Sequence, residues 1–111
     1  MLIEVHDLPG EAVALRLGGR LNMVAAPRLK AAIDETVAAG RVRVVVDLTD
    51  VTFMDSSGLG ALIGGLKKAR QAAGDLRIAR VSDQVATVLK LTNLDRVLRP
   101  YDSVEAAADA W

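Results

Sequence analysis

The chain has 111 residues, half of them hydrophobic, with fourteen basic and fourteen acidic side chains in balance. That length supports one domain, residues 1–111, with a core of its own. The absence of cysteine excludes a disulfide framework or thiolate metal site. The balanced charge argues against a general affinity for nucleic acid or anionic membrane, and one Phe, one Tyr and one Trp provide no platform for stacking bases.

The first residues, Leu2 to His6, alternate rather than forming a basic-then-apolar leader. The longest apolar-plus-glycine run, Leu59 to Leu66, is far short of a membrane span. A soluble cytoplasmic protein, with neither nucleic acid nor membrane as direct partner and no cofactor, is therefore expected. Pro9-Gly10 then punctuates, and Val13, Leu15 and Leu17 alternate against Ala14 and Arg16. Two antiparallel strands around a Pro-Gly turn account for this pattern, with Ile3 and Val5 on one face of the first. His6, the single histidine, falls on the polar face with Glu4 and is given no role.

Gly18-Gly19 is read as ending the second strand, with Arg20 to Ala26 a loop into the first helix. Pro27 suits a first helical position and Gly40 the residue beyond the end. Leu29, Ala32, Ile33, Thr36 and Val37 form the apolar stripe between them. Val42 to Leu48 reads as a central strand, nearly continuous in apolar residues and so covered on both faces. Asp47 near its end is expected to bind backbone N–H groups of a neighbouring turn. After a second helix, Leu76 to Val81 forms a fourth strand, and Ser82 caps a third helix with stripe Val85, Val88, Leu89 and Leu91, ended by Asn93. Arg96 to Arg99 reads as an edge strand closed by Pro100. Asp102 and Glu105 form a capping-box pattern for a last helix, and Trp111 is expected to cover an apolar edge. The order β-β-α-β-α-β-α-β-α gives an α/β fold, a small mixed sheet with about four helices and right-handed crossovers.

The informative stretch is residues 53–68, FMDSSGLGALIGGLKK. At about 100° per residue, Leu59, Leu62, Ile63, Leu66, Ala69 and Ala73 fall on one side of a helix. The opposite side carries Ser57, Gly60, Ala61, Gly64, Lys68 and Gln71, so its first two turns are nearly bare. A glycine within a helix costs roughly 0.8–1.0 kcal/mol relative to alanine. Gly58, Gly60, Gly64 and Gly65 together therefore imply a tertiary or intermolecular reason. Small residues at 60 and 64 let another backbone come close. One of Asp55, Ser56 and Ser57 is expected to cap the helix. Capping requires one residue, which leaves small polar groups over. A hydroxyl on an exposed face is well placed for a charge-changing modification.

Met54-Asp55-Ser56-Ser57-Gly58-Leu59-Gly60, placed after an apolar strand, resembles the signature of STAS-domain anti-sigma factor antagonists. The resemblance extends to Gly19-Arg20-Leu21-Asn22 and to Tyr101-Asp102-Ser103-Val104-Glu105-Ala106, and so covers nearly the whole chain. It implies a single STAS-like domain that binds an anti-sigma factor, a serine kinase, and is inactivated when that kinase phosphorylates the second serine, Ser57. A phosphatase would reset it. The surface expected to meet the partner comprises Asn22, Asp55, Ser56, Ser57, Gly58, Gly60, Ala61, Gly64 and Lys68. Asn22 stands where the family usually carries aspartate, and Ala25 where it often carries threonine. Asparagine keeps an acceptor oxygen and loses the charge, so contacts needing a carboxylate there are not implied.

Enzymatic readings fare poorly. Gly58-Leu59-Gly60 begins a G-x-G, but Ile63 breaks G-x-G-x-x-G. Ser57 lacks the glycine two positions earlier that a nucleophile elbow needs, and the histidine lies on a distant strand. Asp47 and Asp55 alone make a weak metal site. The alternative within the same fold is an accessory subunit of a transport ATPase or signalling assembly that is not phosphoregulated. The aspartate missing at position 22 leans that way.

Overall fold

The structure, a computed structural model, describes residues 1–10, 12–109 and 111. β1 (Leu2–Asp7) and β2 (Ala12–Leu21) pair antiparallel, and β3 (Arg43–Met54), β4 (Asp75–Ala79) and β5 (Pro100–Tyr101) follow as parallel neighbours in the order β1-β2-β3-β4-β5. Each parallel step needs a crossover, supplied by α1 (Ala26–Ala38), α2 (Ser56–Gln71) and α3 (Asp83–Leu91). The order advances one strand at a time in one direction, so right-handed crossovers bring all three helices over the same face. There Val13, Leu15, Leu17, Val44, Val46 and Ile78 share one core with Leu29, Ile33, Leu62, Leu66, Val85 and Leu89. The last helix, α4 (Val104–Asp109), covers the other face, where Val45, Ala79 and Ala107 form a second cluster joined by Trp111. Strand side chains alternate between faces, so a run with both faces covered reads as uniformly apolar. Trp111 takes its expected place at that edge, with the Arg77 guanidinium 4.4 Å from its ring.

Several boundaries differ from the sequence expectation, each for a local reason. β2 does not stop at Gly18-Gly19 but reaches Leu21 through register shifts between Arg16 and Gly18 and between Gly19 and Arg20. That extension gives β3 a partner beyond Leu48: Val51 pairs with Gly19, Phe53 with Arg20 and Met54 with Leu21. Val51 and Met54 are buried. β3 therefore runs without a loop to the residue that starts α2.

No strand forms at Arg96 to Arg99. Val97 N–H (3.2 Å) and Leu98 N–H (2.9 Å) both donate to the Leu94 carbonyl, closing a turn that buries Leu98. The edge strand is Pro100–Tyr101 instead, where a proline without an N–H is tolerated. The cap of α4 is Ser103, whose Oγ accepts from Ala106 N–H at 3.0 Å, rather than Asp102. Leu91 is 79% exposed and outside the α3 stripe, while Ser82 caps α3 as expected, accepting from Val85 N–H. Val5 shares the face of Leu15 but remains exposed, because β1 is the sheet edge beyond the helices.

Candidate docking face around Ser57

At the junction of β3 and α2, Asp55 holds an extended backbone and its carboxylate accepts from Gly58 N–H at 3.0 Å. The Asp55 carbonyl accepts the first helical bond, from Leu59 N–H. An aspartate here both satisfies a free N–H and meets the positive end of the helix dipole. Asp55 is thus the cap, and neither serine is needed for it. Ser56 is exposed and Ser57 partly buried. Among the described residues, neither hydroxyl makes a hydrogen bond.

The junction is held on both sides. Asp55 N–H donates to Leu21 O at 3.3 Å, extending the β2–β3 ladder by one residue. β4 ends at the level of Asp47, so the end of β3 has no strand on its other side. The side chain of Gln84, in the first turn of α3, takes that place: its Oε1 accepts from Met54 N–H at 2.8 Å and its Nε2 donates to Met54 O at 2.9 Å.

The glycines divide into two pairs. A Cβ on Gly58 would stand 2.6 Å from Leu21 Cγ and collide with Leu21 O, and one on Gly65 would stand 2.6 Å from Ile33 Cδ1. These two let α2 sit on the end of β2 and against α1. A Cβ on Gly60 or Gly64 would meet no atom within 4 Å. Only this second pair faces outward. Ala61, expected on the outer face, is instead buried in the main core at 8% exposure, and Gly58 is likewise internal. Ile63, expected in the core, is partly buried, and Ala73 lies exposed beyond the helix at φ +63°.

A groove of about 510 Å³ runs between the two helices, lined by Met23, Ala26, Pro27 and Lys30 on one wall and Ser57, Gly60, Ala61 and Gly64 on the other. The α2 wall follows the i, i+3, i+4, i+7 spacing of a helix face, and the other wall joins Ala26, Pro27 and Lys30 of α1 to Met23 in the turn before it. The groove thus contains a free hydroxyl, a largely apolar floor and a wall without side chains at two positions. Met23 is 72% exposed at the groove, and Val24, next to it in the chain and 78% exposed, lines the adjacent hollow with Asn22 and Arg28. Lys68 is exposed one turn beyond Gly64. Asn22 lies outside the groove's lining, and its Oδ1 accepts from Val24 N–H and Ala25 N–H, both at 3.1 Å. A neutral amide oxygen suffices for that loop-forming task.

The remaining polar candidates are engaged elsewhere. Asp47, 7% exposed, accepts from the N–H (3.0 Å) and hydroxyl (2.5 Å) of Thr49, two residues along its own strand. His6 is exposed beside Glu4 at 3.2 Å. Among the described residues no three His, Cys, Asp or Glu side chains cluster to hold a metal, and no helix is long and apolar enough to cross a membrane. On the open sheet face, the hydrogen bond and charge of Asp50 hold the Arg16 guanidinium above its ordinary pKa.

The STAS domain profile matches residues 3–107. The chain belongs to the STAS domain family. Among its STAS relatives, the anti-sigma-B factor antagonist of Staphylococcus aureus is 30% identical over 91 residues, spanning 82% of this chain and 84% of that protein. The crystal structure of an anti-sigma factor antagonist from Mycobacterium paratuberculosis superposes with a TM-score of 0.86 at 28% identity, over 98% of this chain and 92% of that one. The Bacillus cell fate determinant SpoIIAA shares the STAS fold in its unphosphorylated form (TM-score 0.74, 23% identity, 98% and 96% covered) and its phosphorylated form (0.76, 22%, 99% and 100%).

The whole α1 wall of this STAS domain's groove, Met23, Ala26, Pro27 and Lys30, was absent from the expected surface, as were Val24 and Gln84. Met23 and Val24 carried a usable signal, two adjacent apolar residues in a segment expected to be a loop. Gln84 carried none, since a glutamine in the first turn of a helix is unremarkable until the end of β3 is placed beside it.

Proposed function

We propose that this STAS domain is an anti-sigma factor antagonist, a regulatory binding protein rather than an enzyme. Its unmodified α1–α2 groove docks an anti-sigma factor kinase, and phosphorylation of Ser57 by that kinase ends the docking. The observation that carries the reading is the position of Ser57: released from capping by Asp55, it opens into a groove beside Gly60 and Gly64, where nothing obstructs an approaching backbone. The relatives' shared role and the existence of SpoIIAA in a phosphorylated form support it.

In the transfer, Ser57 Oγ would bond to the γ-phosphorus of ATP as the β–γ bridging bond breaks. ADP leaves, and the hydroxyl proton passes to the kinase or solvent. The product carries a charge of about −1.5 to −2. Left unpaired in a buried interface, such a charge costs several kcal/mol, and ~4 kcal/mol is about a thousandfold in affinity. No refolding is required for a switch. Asp55, Ser56, Gly60, Gly64 and Lys68 belong to the proposed contact surface with Met23 and Val24, whereas Gly58, Ala61 and Asn22 shape it from within. Because Asn22 has a local task, the residue at position 22 no longer favours a transporter subunit.

The test is incubation with ATP and the anti-sigma factor kinase of the same host, followed by peptide mapping. One phosphate on Ser57 is expected. A phosphate on Ser56, Thr49 or Thr52 would overturn the assignment.

A further inference from the structure

Lys30 shares the groove with Ser57 and is the charged residue in its lining. No ion pair engages its ammonium among the described residues. α1 and α2 both connect parallel strands and so run in the same direction. Helical side chains lean toward the N-terminus of their helix, which carries the Lys30 stem up the groove toward the Ser57 end. Gly60 and Gly64 place no side chain in its path.

We propose that Lys30 is the intramolecular counter-ion of a phosphate on Ser57, and that the resulting pair bridges the groove between α1 and α2. This rests on the reading of Ser57 as the modified residue. The bridge changes how the switch works. The phosphate adds a charge to the docking face, and the lysine stem lies across the space a partner would enter, so the modified domain occludes its own groove.

The other charges near Ser57 do not compete for this role. Asp55 repels a phosphate and is turned to Gly58 N–H. Arg28 lines an adjacent hollow and donates to Met1 O at 2.8 Å. The Arg20 guanidinium lies 4.4 Å from the Phe53 ring. Lys67 and Lys68 sit more than two turns further along α2 than Ser57.

The proposal is tested without a kinase by installing phosphoserine at position 57 during translation and titrating it by phosphorus NMR. A neighbouring cation favours the dianion, so it lowers the second phosphate pKa, ordinarily about 6. Lys30→Met should raise that pKa by about half a unit, a roughly threefold change in proton affinity, while Lys30→Arg leaves it low. The difference should shrink in 1 M salt, where the screening length is about 3 Å. A thermal melt of Lys30→Met, an exposed position, confirms that the fold is kept. An unchanged pKa in a folded Lys30→Met protein would overturn the ion pair whatever the kinase does. A shifted pKa together with a kinase that ignores Ser57 would uphold the ion pair and remove the functional reading instead.

Discussion

The side chain of Gln84 closes a two-way hydrogen-bonded pair with the backbone of Met54, accepting at 2.8 Å and donating at 2.9 Å. An amide side chain presents the same donor and acceptor as a peptide group, so Gln84 continues the sheet by one residue where β4 has ended. Through it, α3 helps fix where α2 begins and therefore where Ser57 points.

Removing that clamp should loosen the start of α2. Gln84→Ala strands a donor and an acceptor on Met54, and an unsatisfied buried group costs about 1–3 kcal/mol. A fall in stability of that size is expected, with faster amide exchange at Met54 to Leu59. Gln84→Glu keeps the acceptor and loses the donor, so it should fall between the two. Unaltered exchange in the alanine variant would show that β2 alone holds the junction.

The two pairs of glycines should respond in opposite ways. Gly58→Ala forces a methyl against Leu21 and should destabilise the fold, since overpacking of this kind costs about 1–3 kcal/mol. Gly64→Leu meets open space and gains helix propensity, so its melting temperature should match or exceed the original. Its binding to the anti-sigma factor should nevertheless fall. If Gly64→Leu binds as well as the original chain, the outer wall of the groove is not a docking surface.

Phosphorylation itself should leave the fold in place. A helix N-terminus carries roughly half a positive charge and attracts anions. A phosphate on Ser57 should therefore stabilise α2 by about 0.3–1 kcal/mol, less the repulsion from Asp55. Amide exchange over residues 58–70, compared with and without the phosphate and without any partner, should differ little. Broad loss of protection there would replace exclusion from the groove by an order-to-disorder switch.

The element order, the crossovers and the cap at Asp55-Ser56-Ser57 were legible because each rests on local chemistry: alternating strands, helical stripes, and a short polar residue before a helix. The end of β3 was not. Thr49, Asp50 and Thr52 look like a loop until β2, lengthened by its register shifts, supplies a partner and turns them into the exposed positions of a paired strand. The α2 wheel marked Gly60 and Gly64 as outward but misplaced Ala61, and Gly58, expected on the contact surface, lies against Leu21. Periodicity gives the direction of a side chain and leaves open how far a neighbouring element extends. Here α1 and the end of β2 reach around the helix and cover more of it than the apolar stripe alone implies.

The central claim concerns one hydroxyl, and calorimetric affinity for the anti-sigma factor of the same host tests it most directly, comparing the unmodified chain, Ser57→Ala, Ser57→Asp and the Ser57-phosphorylated protein. Tight binding is expected for the unmodified chain and Ser57→Ala, an intermediate loss for Ser57→Asp, and a loss of about a thousandfold for the phosphorylated protein, the equivalent of ~4 kcal/mol. Phosphorylated and unmodified protein binding with equal affinity would contradict the account.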